Sequence, residues 1–323
     1  MIEPVFLFKE TGFPLSAFWA ALLPCLAVAV FLLFHQSRKA GLKAALPLLF
    51  VLMAVPTSLF LGRLIYCLVR YEDIFFSETG EFAGLGNFFT PSPYGFSIIG
   101  IILGTLISAV FSARAQGIRT SALTDAAALP AALLIAFCRW LEPLNGQGYG
   151  DFVETPVLQH FPLSISSEMG DYFLSVSFIQ GSLAIVLFAA LLLMGKQLDA
   201  RGLKTVFFLL FFTASQILPE SFRRDDALFI FIFARVTQVG YAVLFSLTAF
   251  TVFWRHAQST GQVSRFYLNS GLILLGVVIC ILCEFALDKT NYPKSAVYAV
   301  MALTLLMMSL FTWPKARIER TVS

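Results

Sequence analysis

The chain has 323 residues, of which 58% are hydrophobic and 13% charged, with 35 Phe and a mean hydropathy of +0.82. A water-soluble globule carries about twice that charged fraction, so a soluble enzyme, a secreted disulfide scaffold, a disordered chain and a nucleic-acid binder are excluded. What remains is a polytopic membrane protein, in which the placement of charge matters more than the net +3.

A membrane-crossing helix needs roughly 20 mostly apolar residues. Nine stretches meet this, at about 15–35, 46–69, 95–113, 121–141, 172–195, 204–219, 229–254, 267–287 and 295–313. They predict an all-α membrane bundle of about nine transmembrane helices, the sixth short and open to tilting or a break. Arg38 and Lys39 follow the first run instead of preceding it, so it reads as a span and not a cleaved leader. The five cysteines (Cys25, Cys67, Cys138, Cys280, Cys283) lie inside apolar runs, which predicts buried free thiols.

Lys and Arg set the orientation. Thirteen of the 22 fall after spans 1, 3, 5, 7 and 9: Arg38, Lys39, Lys43, Arg114, Arg119, Lys196, Arg201, Lys204, Arg255, Arg265, Lys315, Arg317 and Arg320. The opposite side holds Lys9, Arg223, Arg224, Lys289 and Lys294. By the positive-inside rule the N-terminus is outside and the C-terminus cytoplasmic. The two long connections, roughly 70–94 and 142–171, then lie outside; beyond Arg70 they are acidic and free of Lys and Arg.

An ionisable side chain in a bilayer costs at least about 2.5–3.5 kcal/mol and is kept for a partner or a cavity. Span 2 carries Arg63 and Tyr66; span 4 ends with Arg139 and leads into Glu142, Asn145, Gln147 and Gly150. Span 6 brings Gln216, Glu220 and Arg223, and span 7 brings Arg235. Because spans alternate in direction, these groups are predicted to converge on the outer leaflet. Several arginines there suit phosphate, since guanidinium offers two parallel donors to its oxygens. The competing reading is structural Arg–Glu pairing, such as Arg139 with Glu220 or Arg63 with Glu142. Asp125 is expected to serve a helix N-terminus, and Glu284 to reach the membrane interface. Metal and nucleotide motifs are absent from the sequence, and no cofactor is expected.

The segment CRWLEPLNGQGYG (138–150) resembles the signature G-R-x-G-N-F-x-N-x-E-x-x-G of bacterial prolipoprotein diacylglyceryl transferases, with Arg139, Asn145 and Gly150 matching. LGRLIYCL (61–68) is similar to its G-G-R-x-x-Y segment, and YGFSIIGIILG (94–104), with Gly95, Ser97 and Gly100, to its G-G-x-S-x-H-G-G segment. LPESFRRDD (218–226) resembles its V-E-F-F-R-x-P-D stretch through Glu220, Arg223 and Asp226. Glu142 stands at an Asn of the signature, Gln147 at its Glu, Ile99 at its His, and Gln216 at an Arg.

The resemblance implies a transferase domain over 1–255, with two further helices and a basic cytoplasmic tail in 256–323. It also implies a multi-pass place in the bacterial plasma (inner) membrane. The activity implied is diacylglyceryl transfer from phosphatidylglycerol, or a related anionic lipid, to a lipoprotein cysteine or another acceptor. Partners would be that lipid and lipobox-containing prolipoproteins, with no nucleic acid. The alternative is a protein that kept the lipid or lipopeptide cleft and lost the chemistry. On the enzyme reading Arg139, Glu142 and Glu220 are the catalytic candidates. Arg63, Tyr66, Ser97, Asn145, Gln147, Gly150, Gln216, Arg223 and Arg235 are the substrate-binding ones.

Overall fold

The computed structural model describes residues 5–7, 15–77, 80–82, 84–89, 95–167, 169–195, 197–199, 202–225, 235–290 and 292–318. Lys9, Tyr94, Lys196, Arg201, Asp226 and Arg320, named above, lie outside them.

Among the described residues nine helices are long and apolar enough to cross a membrane. They are α1 (Ala17–Lys39), α2 (Ala45–Val69), α4 (Ile98–Ala115), α5 (Thr120–Leu141), α6 (Val176–Leu193), α7 (Leu203–Phe222), α8 (Val236–Thr260), α9 (Val263–Lys289) and α10 (Lys294–Ile318). A short α3 (Tyr71–Phe75) follows α2. These runs are apolar on most of their circumference, as a helix bathed in lipid must be. Leu52, Phe31 and Leu193 stay exposed on the flanks, where lipid replaces the water they could not tolerate. The sixth span is one continuous helix, α7, that accommodates Pro219 in its last turn.

Two packing solutions build the bundle. Between α2 and α4, Gly100 and Gly104 lie one turn apart and let the backbones touch. A Cβ on Gly100 would stand 2.2 Å from the Leu61 carbonyl oxygen, and one on Gly104 2.5 Å from the Ser58 Cα. Ser58 and Thr105 exchange a hydroxyl bond across the seam at 3.0 Å. Lipid gives no hydrophobic force between helices, so such close approach and hydroxyl bonding are what hold this pair.

The second solution is aromatic. Phe212, Tyr241, Phe245 and Phe253 of α7 and α8 are fully buried. Helix α10 packs onto both helices, with Trp313 4.9 Å from Phe207 and Phe311 5.8 Å from Phe253, ring centre to ring centre. Offset and edge-on pairs of this kind add to the plain burial of the rings.

Asp125 does serve a helix N-terminus, but that of α7 and not of its own helix. Its carboxylate accepts from Gly202 N–H at 2.6 Å and Thr205 N–H at 2.8 Å, where the dipole and unpaired amides favour an anion. All five cysteines are free, and Cys67, Cys280 and Cys283 are buried.

The connection between α5 and α6 contains strands that the apolar-run reading did not anticipate. β3 (Tyr149–Phe152), β4 (Ser164–Ser166) and β5 (Tyr172–Ser175) form an antiparallel sheet in the order β3-β5-β4. Near the N-terminus, β1 (Phe6–Leu7) pairs with β2 (Leu15–Ser16). This end of the chain docks beside α5 through Val5 N–H to the Leu144 carbonyl at 2.8 Å.

Candidate active site

The C-terminal ends of α5, α7 and α9 and the N-terminal ends of α6 and α8 meet at one end of the bundle, and each contributes polar side chains there. Arg139 sits in the last turn of α5, where a cation faces the negative end of the helix. Its Nη1 donates to Glu142 Oε1 at 2.6 Å, and its Nη2 donates to Glu220 Oε1 and Tyr241 Oη, both at 3.0 Å. Glu220 also accepts from Gln180 of α6 at 2.7 Å and from Thr237 of α8 at 2.8 Å. Arg223, at the end of α7, donates to Glu142 Oε2 at 2.9 Å and to Gln180 Oε1 at 3.2 Å.

Asp225 completes the set. Both its oxygens accept from Arg223 Nε at 3.1 Å, and Oδ2 also takes Gly148 N–H at 2.8 Å. Arg235, just before α8, lies 3.5 Å from Asp225 Oδ1 and donates its Nη2 to the Arg223 carbonyl. Burial pushes the Asp225 carboxyl up, but Arg223, Gly148 N–H and Arg235 more than reverse this and hold it below the usual carboxylate range. Among the described residues the cluster balances three arginines (139, 223, 235) against three carboxylates (142, 220, 225), as burial in a low dielectric requires.

Two glycines shape the chain around it. Gly148 has φ +81°, and a Cβ there would fall 2.4 Å from the Ser177 Cβ and 3.0 Å from Glu142 Oε2. A Cβ on Gly150 would fall 2.7 Å from the Phe222 carbonyl oxygen. The β3 backbone can therefore lie against the end of α7, where Arg224 N–H bonds the Tyr149 carbonyl at 2.9 Å. The buried polar atoms at this end with no hydrogen-bond partner among the described residues include Arg139 Nε, Gln216 Oε1 and Ser177 Oγ. Such atoms mark a polar site built for water or ligand.

The structure thus brings together Arg139, Glu142, Glu220, Arg223 and Arg235, with Gln216 behind them donating to the Gln180 carbonyl at 3.3 Å. The expected Arg139–Glu220 pair is present. Arg63, Tyr66 and Ser97 form a second group. Arg63 donates Nε to Phe88 O at 2.8 Å, Nη1 to Gly95 O at 3.1 Å and Nη2 to Asn87 O at 2.9 Å, and its guanidinium lies 5.5 Å from the Tyr66 ring centre. Its guanidinium therefore ties the backbone carbonyls of Asn87, Phe88 and Gly95 to α2. Ser97 joins this group through its N–H to Gly62 O at 2.9 Å.

Ile99, at the resembled family's histidine position, packs against α8, where a Cβ on Gly240 would fall 2.5 Å from its side chain. Asn145 takes a bond from Ser16 Oγ at 3.2 Å and so fastens the N-terminal segment. Gln147 contributes its N–H to the Glu142 carbonyl at 3.2 Å.

Asp225, Thr237 and Tyr241 were not foreseen as site residues. Arg235, Gln238 and Tyr241 recur at i, i+3 and i+6, one polar stripe along α8, and that spacing was the available signal. Glu284 is a correction. It does not reach the interface but turns inward, accepting from Gln238 Nε2 at 2.8 Å and from Ser221 Oγ. Ser221 and Gln238 directly follow Glu220 and Thr237 in sequence, so Glu284 fastens α7 to α8 one residue beyond the Glu220–Thr237 bond. Glu284→Leu is expected to lower the thermal midpoint in detergent by several degrees, on the order of 2 kcal/mol, because the buried Ser221 hydroxyl loses its acceptor and Gln238 Nε2 its shortest bond. Glu284→Gln keeps an accepting oxygen and should stay within a degree or two of wild type.

A family model of prolipoprotein diacylglyceryl transferases matches residues 6–255. The chain belongs to this family. Relatives named phosphatidylglycerol–prolipoprotein diacylglyceryl transferase include one from Streptococcus pneumoniae (strain JJA), 28% identical over 267 residues, which covers 79% of this chain and 95% of the relative. One from Shouchella clausii is 25% identical over 240 residues, 69% and 81% of the two chains. One from Bacillus velezensis is 24% identical over 266 residues, 80% and 94%. Every residue of the buried charge cluster falls inside the matched region, whereas α9 and α10 lie beyond it. The chain is therefore a multi-span membrane protein of a bacterial lipoprotein-biogenesis family.

Proposed function

We infer that this protein transfers the diacylglyceryl group of phosphatidylglycerol to the cysteine thiol of a prolipoprotein, at the outer leaflet of the bacterial plasma membrane. The observation that carries this reading is the pair Arg139 and Arg223, two guanidinium groups held on one carboxylate at one end of the bundle. Their spacing suits two oxygens of a phosphodiester, and Arg offers the strongest donors for it. The distribution of Lys and Arg places that end outside.

In the transfer, the cysteine S–H gives its proton to a carboxylate. The sulfur attacks the glyceryl carbon, and the C–O bond to phosphorus breaks with its electron pair moving to the phosphate oxygen. A thioether forms, and glycerol phosphate leaves as its anion. Arg139 and Arg223 hold the charge that grows on the leaving oxygen. Glu142 is the proton acceptor, while Glu220 orients Arg139 and Tyr241 braces it from α8. Arg235 secures Asp225 and the Arg223 backbone. Arg63 acts at a distance, holding the backbone at Asn87, Phe88 and Gly95.

The test is turnover of headgroup-labelled phosphatidylglycerol by purified protein with a lipobox peptide. Release of glycerol phosphate together with lipidated peptide is the expected result. No release, alongside anionic lipid that co-purifies tightly, would overturn the enzyme reading and leave a lipid-binding protein.

A further inference from the structure

Glu142 differs from the other two carboxylates of the cluster. Its side chain is 15% exposed, against 2% for Glu220 and 3% for Asp225. Glu220 is fixed by donors from α5, α6 and α8, and Asp225 by Arg223 and a backbone N–H. Among the described residues the Glu142 carboxylate accepts only from Arg139 and Arg223, one on each oxygen. It stands on a single 3-10 turn (Glu142–Asn145) that closes at Gly146 with φ +69°. The turn therefore joins α5 to a glycine-bearing segment and is not itself part of a long helix.

One carboxylate receiving two guanidinium groups on opposite oxygens reproduces what two non-bridging phosphate oxygens would accept. We propose that Glu142 is a removable stand-in for the lipid phosphate, displaced from Arg139 and Arg223 when the phosphodiester binds, and that the released carboxylate then accepts the thiol proton. With an arginine on each oxygen, neither oxygen is free to meet the thiol. Freed, it stands beside the phosphate whose ester bond is to break. Exchange of one anion for another keeps the arginines paired throughout, so no bare charge is left at the buried end of the bundle. Binding of the lipid thereby prepares the proton acceptor, and the carboxylate is kept occupied until the lipid arrives.

The second half of this proposal rests on the transferase reading; the first half, the exchange, does not. Glu142→Gln and Glu142→Asn remove the competing charge and change the cluster from balanced to one net positive charge. Both variants are expected to bind phosphatidylglycerol in nanodiscs about tenfold more tightly than wild type, while kcat with the lipobox peptide falls about a hundredfold, the scale of losing a general base. A part that only held the fold would weaken binding and turnover together, so the opposite movements are the signature. Weaker or unchanged lipid binding overturns the exchange. Unchanged kcat overturns the proton-acceptor role. Loss of a monodisperse folded protein in both variants would make Glu142 an obligatory structural partner and also overturn the proposal. Should wild type release no glycerol phosphate, the transferase reading fails on that result alone, and the binding comparison still decides whether Glu142 occupies the phosphate position.

Discussion

Arg139→Ala is expected to lower glycerol phosphate release by about a thousandfold and to lower stability as well. Arg139 is 3% exposed and ties Glu142, Glu220 and Tyr241 together from the end of α5. Its loss removes a charge that would stabilise the departing phosphate, worth about 10²–10³ in rate when a single preorganised donor is deleted. It also leaves Glu220 buried with fewer donors and Glu142 without one of its two arginines, and breaking a buried pair costs about 3–5 kcal/mol. Arg139→Lys restores a charge but not two diverging donors, so it should recover stability in part and rate hardly at all. The measurements are release of labelled headgroup at saturating lipid, and thermal unfolding in detergent. Full activity in Arg139→Ala would remove this residue from the chemistry.

Gly104→Leu is the substitution with the largest expected effect on the fold. A Cβ at that position would already lie 2.5 Å from the Ser58 Cα and 2.7 Å from the Thr57 carbonyl oxygen. The obstacle is backbone, which cannot rotate aside as a side chain can. The α2–α4 seam must open, which separates Ser58 from Thr105 and costs about 3 kcal/mol, the upper end for overpacking a tight contact. Because Arg63 lies on α2 and residues 95–97 lead into α4, the Arg63 bond to the Gly95 carbonyl would be disturbed too. The expected result is a lowered unfolding midpoint and reduced folded yield, with Gly104→Ala intermediate. A Leu variant as stable as wild type would mean that the seam is not close-packed.

The spans were legible because lipid demands a run of about 20 apolar residues and tolerates little else. The convergence of Arg139, Glu220, Arg223 and Arg235 was legible too, since alternating spans must bring those ends to one side. What the sequence could not reveal was how the charges partner. Arg63 sits on the expected face of α2, but its three nitrogens go to carbonyls of a segment whose path no periodicity records. Glu284 looked like a side chain reaching for the interface because it is near the end of its span; its donors, Ser221 and Gln238, come from two other helices. Asp125 has the local pattern of a cap for α5, yet its acceptors meet the first turn of α7. Strands β3, β4 and β5 are three or four residues long, too short for an alternating pattern to rise above the surrounding glycines and aromatics.

Helices α9 and α10 form a pair, and a pair of crossings returns the chain to the side from which it set out. Among the described residues, seven helices long enough to cross begin within 6–255 and nine are present in all, and both numbers are odd, so either set of crossings carries the chain from one face of the membrane to the other. The helix ends and the connections around the site keep their sidedness whether or not the hairpin is present. A graft of this kind needs no reversal of anything upstream, only a flank of α7 and α8 able to receive it. In this protein the flank is met by Trp313 and Phe311, and Glu284 reaches through it to the residues next to the charge cluster. The added pair thus leaves the sidedness of the matched region as it is while covering a flank of α7 and α8.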